Sequence, residues 1–108
     1  MRTFNAYVDK SARKVVCDKE KMHVPGHYYE EIAVCLKSPW LKKYELKVNV
    51  TKDPHDCVET QTLNTSTVVI KDNNDDPGEI KFEIALERLP GSRAENVKPL
   101  DPIIENED

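Results

Sequence analysis

The sharpest pattern along the chain is strict alternation. In residues 79–87 (EIKFEIALE), Ile80, Phe82, Ile84 and Leu86 alternate with Lys81, Glu83, Ala85 and Glu87. A period of two puts each set on one face, which predicts a strand with its apolar face in a core. Tyr44, Leu46, Val48 and Val50 alternate in the same way with Glu45, Lys47, Asn49 and Thr51. Residues 65–71 (TSTVVIK) form a short β-branched run that ends in DNNDDPG, a loop by composition. The runs on either side of that loop are expected to pair as an antiparallel hairpin with a long polar tip. Residues 57–63 read as a Thr-rich strand entered through the turn KDPHD. Near the N-terminus Phe4, Ala6 and Val8 alternate, and Val15, Val16 and Cys17 follow the polar connection DKSARK, which predicts a second hairpin.

Residues 28–37 carry two periods at once. Tyr28, Ile32, Cys35 and Leu36 have the spacing of a helix face, while Ile32, Val34 and Leu36 alternate as in a strand. Pro25-Gly26 before the segment, Ser38-Pro39 after it and strands on both sides favour the strand. From Leu89 the character changes. PGSRAENVKPLDPIIENED has three prolines, no alternation and an acidic end. Too few apolar groups are present to offset the entropy of ordering, so residues 89–108 are expected to be a flexible acidic tail on a β domain of residues 1–88. The expected fold is all-β: an antiparallel sandwich or small barrel of roughly six to seven short strands. The alternative is α+β with one helix near 28–37.

Length and charge narrow the classes of function. A chain of 108 residues is one domain. Its 20 acidic residues against 16 basic ones give a net charge of −4, which argues against nucleic-acid binding. No apolar run reaches the ~18–20 residues of a membrane helix. The N-terminus MRTFNAYVDK is polar where a signal peptide is apolar. The expected setting is therefore cytoplasmic and off the membrane, with a mature secreted domain as the alternative. Cys17, Cys35 and Cys57 are an odd set in a short chain, which reads as buried thiols rather than a disulfide framework. The sequons Asn49-Val50-Thr51 and Asn64-Thr65-Ser66 weigh slightly toward the secreted alternative.

The candidate chemistry is sparse. The loop DNNDDPGE offers Asp72, Asp75 and Asp76 as hard oxygen ligands for calcium, although its spacing is not that of an EF-hand. The twenty-residue stretch VVIKDNNDDPGEIKFEIALE resembles the last hairpin of calcium-binding β-sandwich modules such as Calx-β, which implies calcium at the same loop. His23, His27, His55 and Cys57 could make a zinc site only if two distant loops met. Ser11-Ala12-Arg13-Lys14 matches SxxK formally, without the further motifs that such a nucleophile needs. Three glycines are too few for a phosphate-cradling loop. A Cys–Trp–Cys pattern of the immunoglobulin type, Cys17, Trp40 and Cys57, lacks the Tyr two residues before the second Cys.

What remains are contact devices. Trp40 is a candidate exposed anchor, with Lys37, Lys42, Lys43 and Lys47 around it in sequence. Tyr28 and Tyr29 could serve in the same way. Leu100, Ile103 and Ile104 stand among acids and could dock on a partner or pair with a sheet edge. The leading expectation is a non-enzymatic protein-interaction module with a protein partner, of a build common among viral or phage accessory and virion-surface proteins. Self-association through sheet edges is part of that expectation. A metal-binding β module is the second reading, and a small enzyme without an identifiable motif is the third.

Overall fold

The computed structural model describes residues 2–26 and 28–107. Among these, nine strands form two stacked sheets: β1 (Arg2–Asp9), β2 (Lys14–Cys17), β3 (Lys21–Val24), β4 (Glu30–Leu36), β5 (Tyr44–Lys52), β6 (Val58–Asn64), β7 (Thr67–Asp72), β8 (Gly78–Arg88) and β9 (Ile103–Asn106). One sheet has the order β2-β1-β4-β7-β6 and the other β3-β9-β8-β5. Strand pairs β1/β4 and β3/β9 run parallel, and the other pairs are antiparallel. The all-β sandwich expected from alternation is the observed fold. Residues 28–37 hold a strand, with Ile32, Val34 and Leu36 all buried.

The core lies between the sheets. Phe4, Ile32, Val34, Val68 and Ile70 of one sheet meet Leu46, Ile80, Phe82, Ile84 and Ile104 of the other. The Phe4 and Phe82 rings join the two sheets edge to face, 5.2 Å apart. Such a pair contributes about 0.5–1.5 kcal/mol beyond its burial.

Two expectations are corrected here. Strands β7 and β8 are not a hairpin: β7 pairs with β4 and β6, while β8 pairs with β5 and β9 in the opposite sheet. The DNNDDPG loop therefore crosses between sheets. The likeness to the last hairpin of Calx-β modules fails with it. The second correction concerns the C-terminus. Residues 103–106 are not a tail but a central strand, parallel to β3 and antiparallel to β8, with Ile104 fully buried. A strand paired on both sides needs few apolar residues of its own, because its ladders and one inward side chain offset the ordering entropy.

The segment before β9 is also tied down. Val15 N donates to Lys98 O at 2.8 Å, and Ile84 and Leu100 exchange two backbone hydrogen bonds. Tyr44 Oη donates to Glu95 O at 2.6 Å. This strap links β2 of one sheet to β8 of the other. β8 itself runs the length of the sandwich, 11 residues or roughly 36 Å, and so separates two loop-bearing ends.

Candidate functional site

At one end three loops meet: residues 25–26 and 28–29 between β3 and β4, 53–57 between β5 and β6, and 73–77 between β7 and β8. The inward positions of β7 run Val68, Ile70, Asp72, and those of β9 run Ile104, Asn106. The apolar core therefore ends here in a polar pair that bridges the sheets. Asn106 Nδ2 donates to Asp72 Oδ1 at 3.0 Å, and Asn74 N donates to the same oxygen at 2.9 Å.

Asn74 then ties the loops together. It adopts a left-handed backbone, φ 54°, which Asn tolerates better than most residues. Its side-chain amide donates to the carbonyls of Pro25, Gly26 and Tyr28. Asn73 N donates to Cys57 O at 2.9 Å. Asp53 closes its own loop by accepting Cys57 N and Val58 N at 2.9 and 3.0 Å. Gly26 has φ 69°, and a Cβ there would sit 3.1 Å from the Tyr28 ring, so this turn requires glycine. The loops so fixed present Tyr28 and Tyr29 to solvent, 79% and 57% exposed. Tyr29 Oη donates to Glu31 Oε1 at 3.0 Å, which orients the second ring.

The fold is similar to that of a solved cysteine protease inhibitor. That protein, EhICP2 from Entamoeba histolytica, superposes with a TM-score of 0.50 at 11% identity, over 96% of this chain and 92% of its own. The likeness is one of fold, carried by the arrangement of strands and not by residues. No protein-family model matches the sequence, and no curated protein sequence matches it.

The metal ligands expected from sequence are not brought together. Asp72 is fully buried against Asn106 and Asn74, whereas Asp75 and Asp76 are exposed. His23 lies on β3 beside Glu107, 2.9 Å away, while His55 and Cys57 lie in the 53–57 loop, and His27 lies outside the described residues. Among the described residues no three His, Cys, Asp or Glu side chains are placed to hold a metal ion.

Asp72 has a different part to play. Burial pushes its carboxyl above the usual range, against the lowering effect of its hydrogen bonds from Asn106 and Asn74. Asp72 Oδ2, Asn74 Oδ1 and Asn106 Oδ1 have no partner among the described residues, so acceptors outnumber donors in this layer. A raised folded-state pKa favours the protonated acid in the native state. Stability from this group is therefore present at low pH and lost as pH rises above the unfolded value. Asp72→Asn keeps the acceptor and adds a donor. We expect it to raise the melting temperature at pH 7 and to leave it unchanged near pH 3, measured by calorimetry across that range. A lower melting temperature at pH 7 would show that the carboxylate is held ionised by a partner.

Residues proposed from sequence as partner contacts occupy other places. Trp40 sits in a 3₁₀ turn, Trp40–Lys42, at the opposite end, only 8% exposed and packed against Tyr44 at 6.3 Å. Leu100 and Ile103 are half-buried, and Ile104 is fully buried. Trp40 and Ile104 belong to the core, Leu100 packs against it, and Ile103 lies half-buried on the outer face of β9. Tyr28 and Tyr29 were legible as candidates. Asn74, which holds their loop in place, and Asp53, which closes the neighbouring one, carry no local signal that separates them from any turn residue.

Nucleophilic chemistry finds no support at the SxxK match. Ser11 Oγ donates to Asp9 Oδ1 at 2.8 Å, and the same oxygen accepts Ser11 N and Ala12 N, which shapes the β1–β2 turn. Burial, with Asp18 nearby, pushes the Cys17 thiol up to about 11, and burial also raises Cys57. The thiolate is the reactive form. Iodoacetamide at pH 8 is therefore expected to modify Cys17 and Cys57 of the native protein far more slowly than in urea, read by mass spectrometry.

Proposed function

We propose that this chain is a non-enzymatic protein-binding module whose contact surface is the three-loop end bearing Tyr28 and Tyr29. The observation that carries this reading is the Asn74 amide. By bonding three carbonyls of a loop 46 to 49 residues away, it fixes the backbone beneath two exposed aromatics. Rigid tyrosines give large contact area at low entropic cost, and pre-organisation is what converts contact into affinity. The sandwich shared with a cysteine protease inhibitor supports the reading, since that protein acts by binding another, and makes a cysteine protease the first partner class to test. A viral or phage accessory setting, expected from build alone, would place the same surface on a particle or against a host target.

The test compares wild-type chain with Tyr28→Ala/Tyr29→Ala. Aromatic anchors at interface centres cost at least about 2 kcal/mol each when truncated, which is roughly thirtyfold in affinity. The double variant should keep the wild-type melting temperature, because both rings are exposed, and should lose the captured partner and any inhibition of a cysteine protease. Retention of the partner by the double variant rejects the surface.

A second contact is proposed at the β6 edge. β6 borders its sheet, carries no Lys or Pro to blunt pairing, and is exposed over residues 59–64. Self-association through this edge predicts dimer in sedimentation at high concentration and monomer for Thr62→Pro.

A further inference from the structure

We infer that the end of the sandwich opposite the three loops carries a binding site for a small ligand bearing phosphate or carboxylate oxyanions. A cavity of about 470 Å³ opens there between the β1–β2 turn, the 3₁₀ turn and the strap that precedes β9. Its size falls in the range of small-ligand pockets. Lys10 and Arg13 enter from the first element, Lys43 from the second and Arg93 from the third. Four cations from segments distant in sequence thus converge on one concavity in a chain of net charge −4.

Their pairing is incomplete. Arg13 Nε lies 3.1 Å from Glu95 Oε2, and among the described residues Glu95 is the only acid lining the cavity. Among the described residues, Lys10, Lys43 and Arg93 have no carboxylate within ion-pair distance. The Lys10 and Lys43 ammoniums instead lie over the Trp40 ring, 5.4 and 5.3 Å from its centroid. One aromatic ring therefore gathers two cations beside the cavity, and Arg93 lines the same cavity as a third.

Unpaired like charges repel, and a fixed cluster of them is compensated most simply by an anion. Phosphate and carboxylate oxygens are the acceptors that ammonium and guanidinium groups bind most strongly. Tyr44 Oη donates to the Glu95 backbone carbonyl and the Glu95 carboxylate pairs with Arg13, so the cavity supplies cations and an apolar wall and, among the described residues, no unpaired acid to receive a cationic ligand. The sequence hinted at this cluster through Lys37, Lys42, Lys43 and Lys47. Of these only Lys43 lines the cavity, and Lys47 pairs with Glu45 at 3.0 Å. Lys10 and Arg93 come from parts of the chain that no local reading joins.

Titration of the full chain followed by amide NMR tests the inference, with pyrophosphate, citrate, AMP and adenosine as probes at low salt. The expected result is saturable shifts at residues 8–13, 40–44 and 93–97 with pyrophosphate or AMP if the natural ligand is a phosphate, or with citrate if it is a carboxylate, and none with adenosine. Lys43→Ala and Arg93→Ala should each weaken the binding probe by about tenfold, as loss of one charged hydrogen bond does. Both variants should keep the wild-type melting temperature, since both side chains lie on the rim. Absence of localised shifts with all three anions overturns the inference. Equal affinity in the variants also overturns it, by showing diffuse surface binding. Shifts with an acidic hexapeptide and none with the small anions overturn it in favour of a peptide contact.

Discussion

Removing residues 103–108 is expected to unfold the chain. β9 lies between β3 and β8, and β3 has no other strand partner among the described residues. The deletion therefore removes one strand, releases a second and opens the core at Met22, Val24 and Ile80, all buried in the intact sandwich. Domains of this size are stable by only about 5–15 kcal/mol, which two lost strands exceed. A point variant gives a graded version. Ile104→Ala leaves a cavity at a fully buried site and should cost about 2–5 kcal/mol in urea denaturation. Ile103→Ala, on the half-buried outer face, should cost far less. Equal and small effects at both positions would mean that the C-terminal segment does not lie in the sheet.

Asn74→Ala is expected to have the second largest effect, and to act on the binding surface as well as on stability. The substitution leaves the Pro25, Gly26 and Tyr28 carbonyls without their shared donor. It also places alanine at a left-handed backbone position. Loss of buried hydrogen bonds of this kind costs about 1–3 kcal/mol. Hydrogen exchange should accelerate in residues 25–29 while β4 and β8 stay protected. Partner affinity should fall although Tyr28 and Tyr29 are intact, because the loop beneath them is no longer held. Asn74→Asp separates the two roles: it tolerates the same φ but cannot donate, so it should reproduce the loss of binding.

Much of the fold is legible in the sequence where one face is buried. Ile80, Phe82, Ile84 and Leu86 announce β8 because a period of two has no other physical meaning at that length. The helical spacing of Tyr28, Ile32, Cys35 and Leu36 misleads only until Tyr28 is seen to face solvent while Ile32, Val34 and Leu36 share the core. Partner choice is less legible. The composition of DNNDDPG marks a turn, but nothing in it states whether the chain returns to the same sheet or crosses to the other. β9 is the extreme case, since Ile104 alone of its residues is apolar and fully buried. The binding surface is legible only in its exposed half. Two adjacent tyrosines stand out in a chain with few aromatics, whereas the Asn that positions them lies in a loop of similar polar residues and acts across sequence distance.

The most direct test of the central claim is hydrogen–deuterium exchange of the chain free and bound to its captured partner. Contact through the three-loop end predicts new protection in residues 25–29, 53–57 and 73–77, with residues 10–13 and 40–43 unchanged. Protection confined to the cavity end, or to β6, with those three loops unaffected, would contradict it.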